Sequence, residues 1–94
     1  VASAGDLTLG SAGNSFSITG TTTINAITTT NWQAGSVIRL IFASTPTVKH
    51  NTAGGASTAK MLLNGGVDFS ATANDVLTLI YDGTNWLECS RSIN

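Results

Sequence analysis

The chain has 94 residues, a formal net charge of −1 and charged side chains at only 10% of positions. With four basic residues and no basic patch, it is not expected to bind nucleic acid or an anionic membrane surface. The single Cys89 excludes an internal disulfide and the single His50 cannot anchor a structural zinc site, so no metal or cofactor is expected.

A domain of this size buries only roughly 60–65% of the surface that its unfolded chain exposes. Small domains compensate with disulfides, metals or oligomerisation, and here only oligomerisation remains. The 15 Thr, 10 Ser, 8 Asn and 10 Gly build a polar surface from hydroxyls and amides instead of ions. The longest apolar run, positions 37–43, is interrupted by Arg39 and falls far short of the ~20 residues of a membrane helix, so no membrane insertion is expected. The opening "VASAGDLTLG" has no basic segment followed by an apolar one, which argues against a signal peptide. A first residue other than Met suggests a processed chain or a fragment of a longer protein.

Apolar residues at i, i+3, i+4, i+7 are not sustained anywhere, and β-branched residues are abundant, so the chain reads as strands and loops. Strands are expected near 6–9, 15–19, 22–28, 36–43, 46–50, 59–63, 66–70, 75–81 and 85–91, separated by turns rich in Gly and Asn. Short strands at this spacing predict one all-β domain over 1–94: a small, antiparallel β-sandwich or jelly-roll-like fold ending in a C-terminal hairpin.

In "FSITGTTTINAITTTNW", Phe16 and Ile18 share one face, and Ile24 and Ile27 sit among threonines. The three-residue step between those isoleucines breaks strict alternation and predicts a bulge or corner at Asn25 and Ala26. The run of threonines does not keep a repeating T-x-T, which argues against an ice-binding face and for threonine as an uncharged β-former. In "SVIRLIFA", Ile38, Leu40 and Phe42 form the core face. Val37 and Ile41 on the other face are too apolar for a fully solvated strand, which marks them as candidate subunit-interface residues.

The terminal "VLTLIYDGTNWLECSRSIN" is a hairpin around Asp82 and Gly83, compatible with two-, three- or four-residue loops. A three-residue loop is preferred on pairing grounds. It sets Leu79 against Leu87, Leu77 against Cys89, Thr78 against Glu88 and Asp75 against Arg91. The expected core is Ile38, Leu40, Phe42, Leu77, Leu79 and Leu87.

No phosphate-binding loop, dinucleotide fingerprint or nucleophile elbow is present, so no catalytic residues are assigned and no enzymatic activity is expected. His50 reads as an exposed strand end and Cys89 as a buried, inert thiol. Asp68, Asp75 and Asp82 recur every seven residues but lack a calcium-loop pattern, and read as turn-flanking residues. Trp32, Tyr81 and Trp86 are the side chains best able to stack on a sugar ring and are the candidate ligand-binding residues. Trp86, beside the hairpin turn, is weighted towards the core, and Trp32 sits in a loop, where ligand contact and packing are balanced.

The pattern "DVLTLIYDGTNWLECSRSIN", preceded by "ITGTTTINAIT", "AGSVIRLIF" and "LLNGGVDF", resembles a β-rich module at the ends of bacteriophage tail fibres, tailspikes and related virion proteins. The resemblance runs from about Phe16 to Ser92 and rests on structural motifs. It implies fold-defining roles for Tyr81, Asp82, Gly83, Trp86, Glu88, Ser90 and Arg91, a homotrimer, a location on the virion, and a role in trimerising or capping a fibre with a host-surface glycan as candidate ligand. A trimeric capsid decoration protein and the carbohydrate-binding module of a secreted protein are the alternatives.

Overall fold

A computed structural model describes residues 1–57 and 59–94. Strands β1 (Asp6–Leu7), β2 (Ser15–Ile18), β3 (Ala26–Ile27), β4 (Val37–Phe42), β5 (Thr47–Val48) and β6 (Met61–Leu62) lead into a 3-10 turn over Asn64–Gly66. Strands β7 (Phe69–Ser70), β8 (Val76–Tyr81) and β9 (Trp86–Ser92) follow. The domain is all-β, consistent with a small sandwich. One layer is a five-stranded sheet in the order β2-β4-β8-β9-β6, and the ladders β1-β3 and β5-β7 lie apart from it. An isolated bridge from Ile24 to Val48 ties the two short ladders together, and one from Ala26 to Lys60 joins β3 to the residue before β6.

The expected uniformly antiparallel order is corrected. β4-β8, β8-β9 and β5-β7 are antiparallel, but β2-β4, β6-β9 and β1-β3 run parallel. Parallel neighbours need a crossover instead of a tight turn. Between β2 and β4 the chain leaves the sheet to form β3, and between β6 and β9 it passes through β7 and β8. This strand order does not establish the jelly-roll variant.

Alternation along β4 buries Ile38, Leu40 and Phe42 and turns Val37, Arg39 and Ile41 outward. From β8, Leu77 and Leu79 join the buried set, which packs with Ile24 and with Leu7, Ile27, Val48 and Met61 of the other strands. At Asn25 and Ala26 two successive N–H groups converge on the Gly5 carbonyl, each at 3.0 Å, the two-against-one geometry of a bulge. That irregularity lets Ile24, Ala26 and Ile27 all reach the interior.

The hairpin differs from the preferred register. Its loop has four residues, 82–85, pairing Tyr81 with Trp86, Ile80 with Leu87 and Leu79 with Glu88. Turn chemistry decides this: one Asp82 carboxylate oxygen accepts the N–H groups of Thr84 and Asn85 at 2.8 and 2.7 Å, and Gly83 takes φ 99°. Trp86 therefore points inward, and Leu87, expected in the core, lies half-buried on the outer face. A register shift between Thr78 and Leu79 leaves Cys89 over, so the thiol expected to be buried is exposed. Beyond the shift Arg91 stands opposite Leu77, and its ion-pair partner is Glu88 instead of Asp75.

Candidate functional site

Two ends of the inner sheet face are closed in different ways. At the hairpin end, the segment 29–36 folds over the sheet, with Asn31 in the left-handed region at φ 71°. Its ends are strapped to β8: Gly35 N–H donates to the Tyr81 carbonyl at 2.7 Å, and Tyr81 N–H donates to the Ser36 carbonyl at 2.8 Å. This places Trp32 between Phe16 and Trp86, edge-on to both at centroid distances of 6.1 and 6.0 Å. Tyr81 stacks at a tilt on Trp86, 5.0 Å away, and its hydroxyl donates to the Gly83 carbonyl at 3.0 Å.

The three candidate ligand-binding aromatics thus form one cluster with unequal access. Trp86 is wholly buried, and its Nε1–H donates to the Ile27 carbonyl at 3.3 Å, so it has no face to offer a ligand. Trp32 and Tyr81 are half-buried at the rim and retain exposed surface. The Trp32 indole N–H is itself buried and finds no acceptor among the described residues. Trp32 therefore packs as part of the core margin, which its position in a loop did not reveal.

At the opposite end the Arg91 guanidinium lies 4.3 Å from the centre of the Phe69 ring, which in turn meets Phe42 edge-on. Glu88, with a side chain only 3% exposed, accepts from Arg91 at 2.8 and 2.7 Å and from Asn64 N–H at 2.8 Å. The Arg91 guanidinium holds the Glu88 carboxyl below the usual carboxylate range, and Glu88 in turn raises Arg91. A recess of about 460 Å3 beside this pair is lined by Leu62, Leu63, Asn64 and Cys89. A second, of about 280 Å3, is lined by Thr28, Thr29, Thr30, Ala56, Ser57 and Ala59.

The outer face of the five-stranded sheet carries an apolar row. Ladder pairing sets Leu62 beside Leu87, Leu87 beside Ile80, and Ile80 beside Val37, across four strands. All four are half-buried. Ile41, 40% exposed, lies four residues along β4 from Val37 and pairs with Val76. Both candidate interface residues belong to this face, and the sequence pattern missed their neighbours Leu62, Ile80 and Leu87. Arg39 between them faces solvent.

The three aspartates occupy separate turns. Asp68 accepts His50 N–H at 2.8 Å and pairs with Lys49 at 3.1 Å, and Asp82 holds the hairpin loop. Asp75, 1% exposed, accepts from Asn94 N–H and from both the N–H and hydroxyl of Thr72. Among the described residues no group of three or more His, Cys, Asp and Glu side chains gathers as a metal site would require. His50, expected as an exposed strand end, is half-buried, and its Nδ1 accepts the Leu63 N–H at 3.0 Å. No protein-family model, curated protein or solved structure matches this chain.

Proposed function

We propose that this domain is a non-enzymatic structural module of a bacteriophage tail fibre or tailspike, which trimerises or caps the fibre at the virion surface. The observation that carries the reading is the outward row Leu62, Leu87, Ile80 and Val37, an apolar strip across four strands that stays partly exposed. Solvating such a strip is unfavourable, and covering it with symmetry-related copies removes that cost. The number three and the virion setting rest on the resemblance of the hairpin sequence. Host-glycan contact, if this module makes it, falls to the rim aromatics Trp32 and Tyr81, since Trp86 is enclosed.

Light scattering of the full chain at micromolar concentration tests the assembly. A particle of three chains of 9.6 kDa is expected. A stable monomer removes the assembly reading, and a dimer removes the analogy with trimeric fibre modules.

A further inference from the structure

The 3-10 turn over Asn64–Gly66 is held by two side chains, one from the loop after β5 and one from β9, and both can be protonated. The Leu63 N–H donates to Nδ1 of His50, and the next N–H, of Asn64, donates to Oε1 of Glu88. The turn adds one bond of its own, from Gly66 N–H to the carbonyl of the buried Leu63 at 3.1 Å; Gly65 and Gly66 take positive φ of 77° and 67°, and Val67 beyond them is 62% exposed. Preceding it, β6 has two residues and lies at the edge of the sheet.

From this geometry we infer that His50 is an acid-released latch on the turn that follows β6. An imidazole nitrogen that accepts a hydrogen bond carries a lone pair, so His50 in the latched state is neutral with its proton on Nε2. That nitrogen faces Gly66, where an added Cβ would lie 3.8 Å from it. A second proton makes Nδ1 a donor, and it then confronts the Leu63 N–H, another donor. The bond is lost and two like dipoles oppose each other.

The charged groups around His50 set the order of release. Lys49 and Asp68 flank it as an ion pair, and the Asp68 carboxylate is committed to Lys49 and to the His50 backbone N–H. Glu88 at the second anchor is kept ionised by Arg91. Histidine is the side chain type that takes up a proton between pH 5 and 8. A proton on Nδ1 of His50 therefore opens the Leu63 anchor and leaves the Asn64 anchor, held by Glu88, in place.

Amide hydrogen exchange of the full chain, followed by NMR between pH 8 and 5 and corrected for intrinsic rates, tests the latch. Once His50 titrates, protection of the Leu63 N–H should fall by about tenfold per pH unit, the slope of one linked proton. The Leu79 N–H should hold its protection. His50→Asn, which presents an acceptor that does not titrate, should keep Leu63 protection flat across the range. Equal loss in His50→Asn, or no loss in the wild type, overturns the latch. Should His50→Asn fail to fold, the imidazole nitrogen signals of this only histidine decide: a proton on Nδ1 in the wild type at pH 8 overturns the proposal, and a proton on Nε2 alone supports it.

Discussion

Trp86 and Ile27 stand 59 positions apart, and the indole N–H of one donates to the backbone carbonyl of the other at 3.3 Å. The bond joins β9 of the five-stranded sheet to β3 of the facing layer, at the centre of the aromatic cluster. Replacing Trp86 by Ala empties the largest buried side-chain volume and leaves the Ile27 carbonyl to the Ser57 hydroxyl, which donates to it at 3.2 Å. A loss of about 3–5 kcal/mol in urea-denaturation stability is expected. A loss below about 1 kcal/mol would show that the two layers do not depend on this ring.

Trp32 makes a contrasting case. Its ring meets Phe16 and Trp86 edge-on, so Trp32→Ala should destabilise, contrary to what its loop position suggests. Its indole N–H, however, is buried without an acceptor among the described residues. A buried, unpaired donor costs about 1–3 kcal/mol. Trp32→Phe keeps an aromatic ring in place and removes that donor, so its denaturation midpoint should be far closer to wild type than that of Trp32→Ala, or higher. Equal losses in the two variants would mean that the full indole volume, and not an aromatic ring, is what the site needs.

Alternation and turn residues were enough to read the strands. All nine expected strands are present, and five of the six expected core residues are wholly buried. The sixth, Leu87, failed for a local reason. The choice between three- and four-residue loops depends on which N–H groups the Asp82 carboxylate captures, and each one-residue change of loop reverses which side of β9 faces in. Cys89 and Arg91 were misplaced by the same cause, compounded by the shift opposite Thr78 and Leu79. The parallel edge strands were not legible because alternation reports faces and not direction. Val37 and Ile41 were visible as outward apolar residues within one strand, but the row they join exists only once pairing brings in Leu62, Leu87 and Ile80.

Gly54 is the glycine with least room. A Cβ there would fall inside the Asp6 carboxylate, which accepts the N–H groups of Ala56 and Ser57, and would crowd Ala26. Gly54→Ala should therefore displace Asp6 and lower the melting temperature. Gly13→Ala, with nothing within 4 Å of the new methyl group, serves as the control and should change little. A Gly54→Ala melting curve superimposed on wild type would show that the 54–57 loop is not held to Asp6 in solution.

Acid should weaken the fold, and the sign follows from the carboxylates. The Asn94 N–H, then Thr72, hold Asp75 below the usual range. His50 N–H and Lys49 do so for Asp68, Asn85 and Thr84 N–H for Asp82, and Arg91 for Glu88. Each pKa is lower in the folded chain than in the unfolded one. The stability they contribute is thus present above the unfolded values of about 4 and lost as pH falls through the folded values. Urea midpoints should fall steeply below about pH 4, and Asp75→Asn, already less stable at pH 7, should show a shallower acid slope. A slope unchanged in Asp75→Asn would show that this buried carboxylate is not among the groups that take up protons on unfolding.

The outward row makes the last prediction, because its residues can be charged without opening the core. Ile80 lies at its middle, between Val37 and Leu87, and is half-buried. In an isolated domain Ile80→Lys can lay its methylene stem over the row and lift the ammonium into water, so the fold should survive. In an assembly that covers the row, three copies would each bring an unpaired ammonium into an apolar contact, where desolvation is costly and like charges repel. Ile80→Lys should therefore convert the proposed trimer to a folded monomer, with circular dichroism unchanged and scattering mass reduced threefold. Ser11→Lys, an exposed loop position outside the sheets, should leave the mass as it was. Loss of assembly in both variants would point to net charge as the cause, and retention of a trimer in Ile80→Lys would move the interface away from this face.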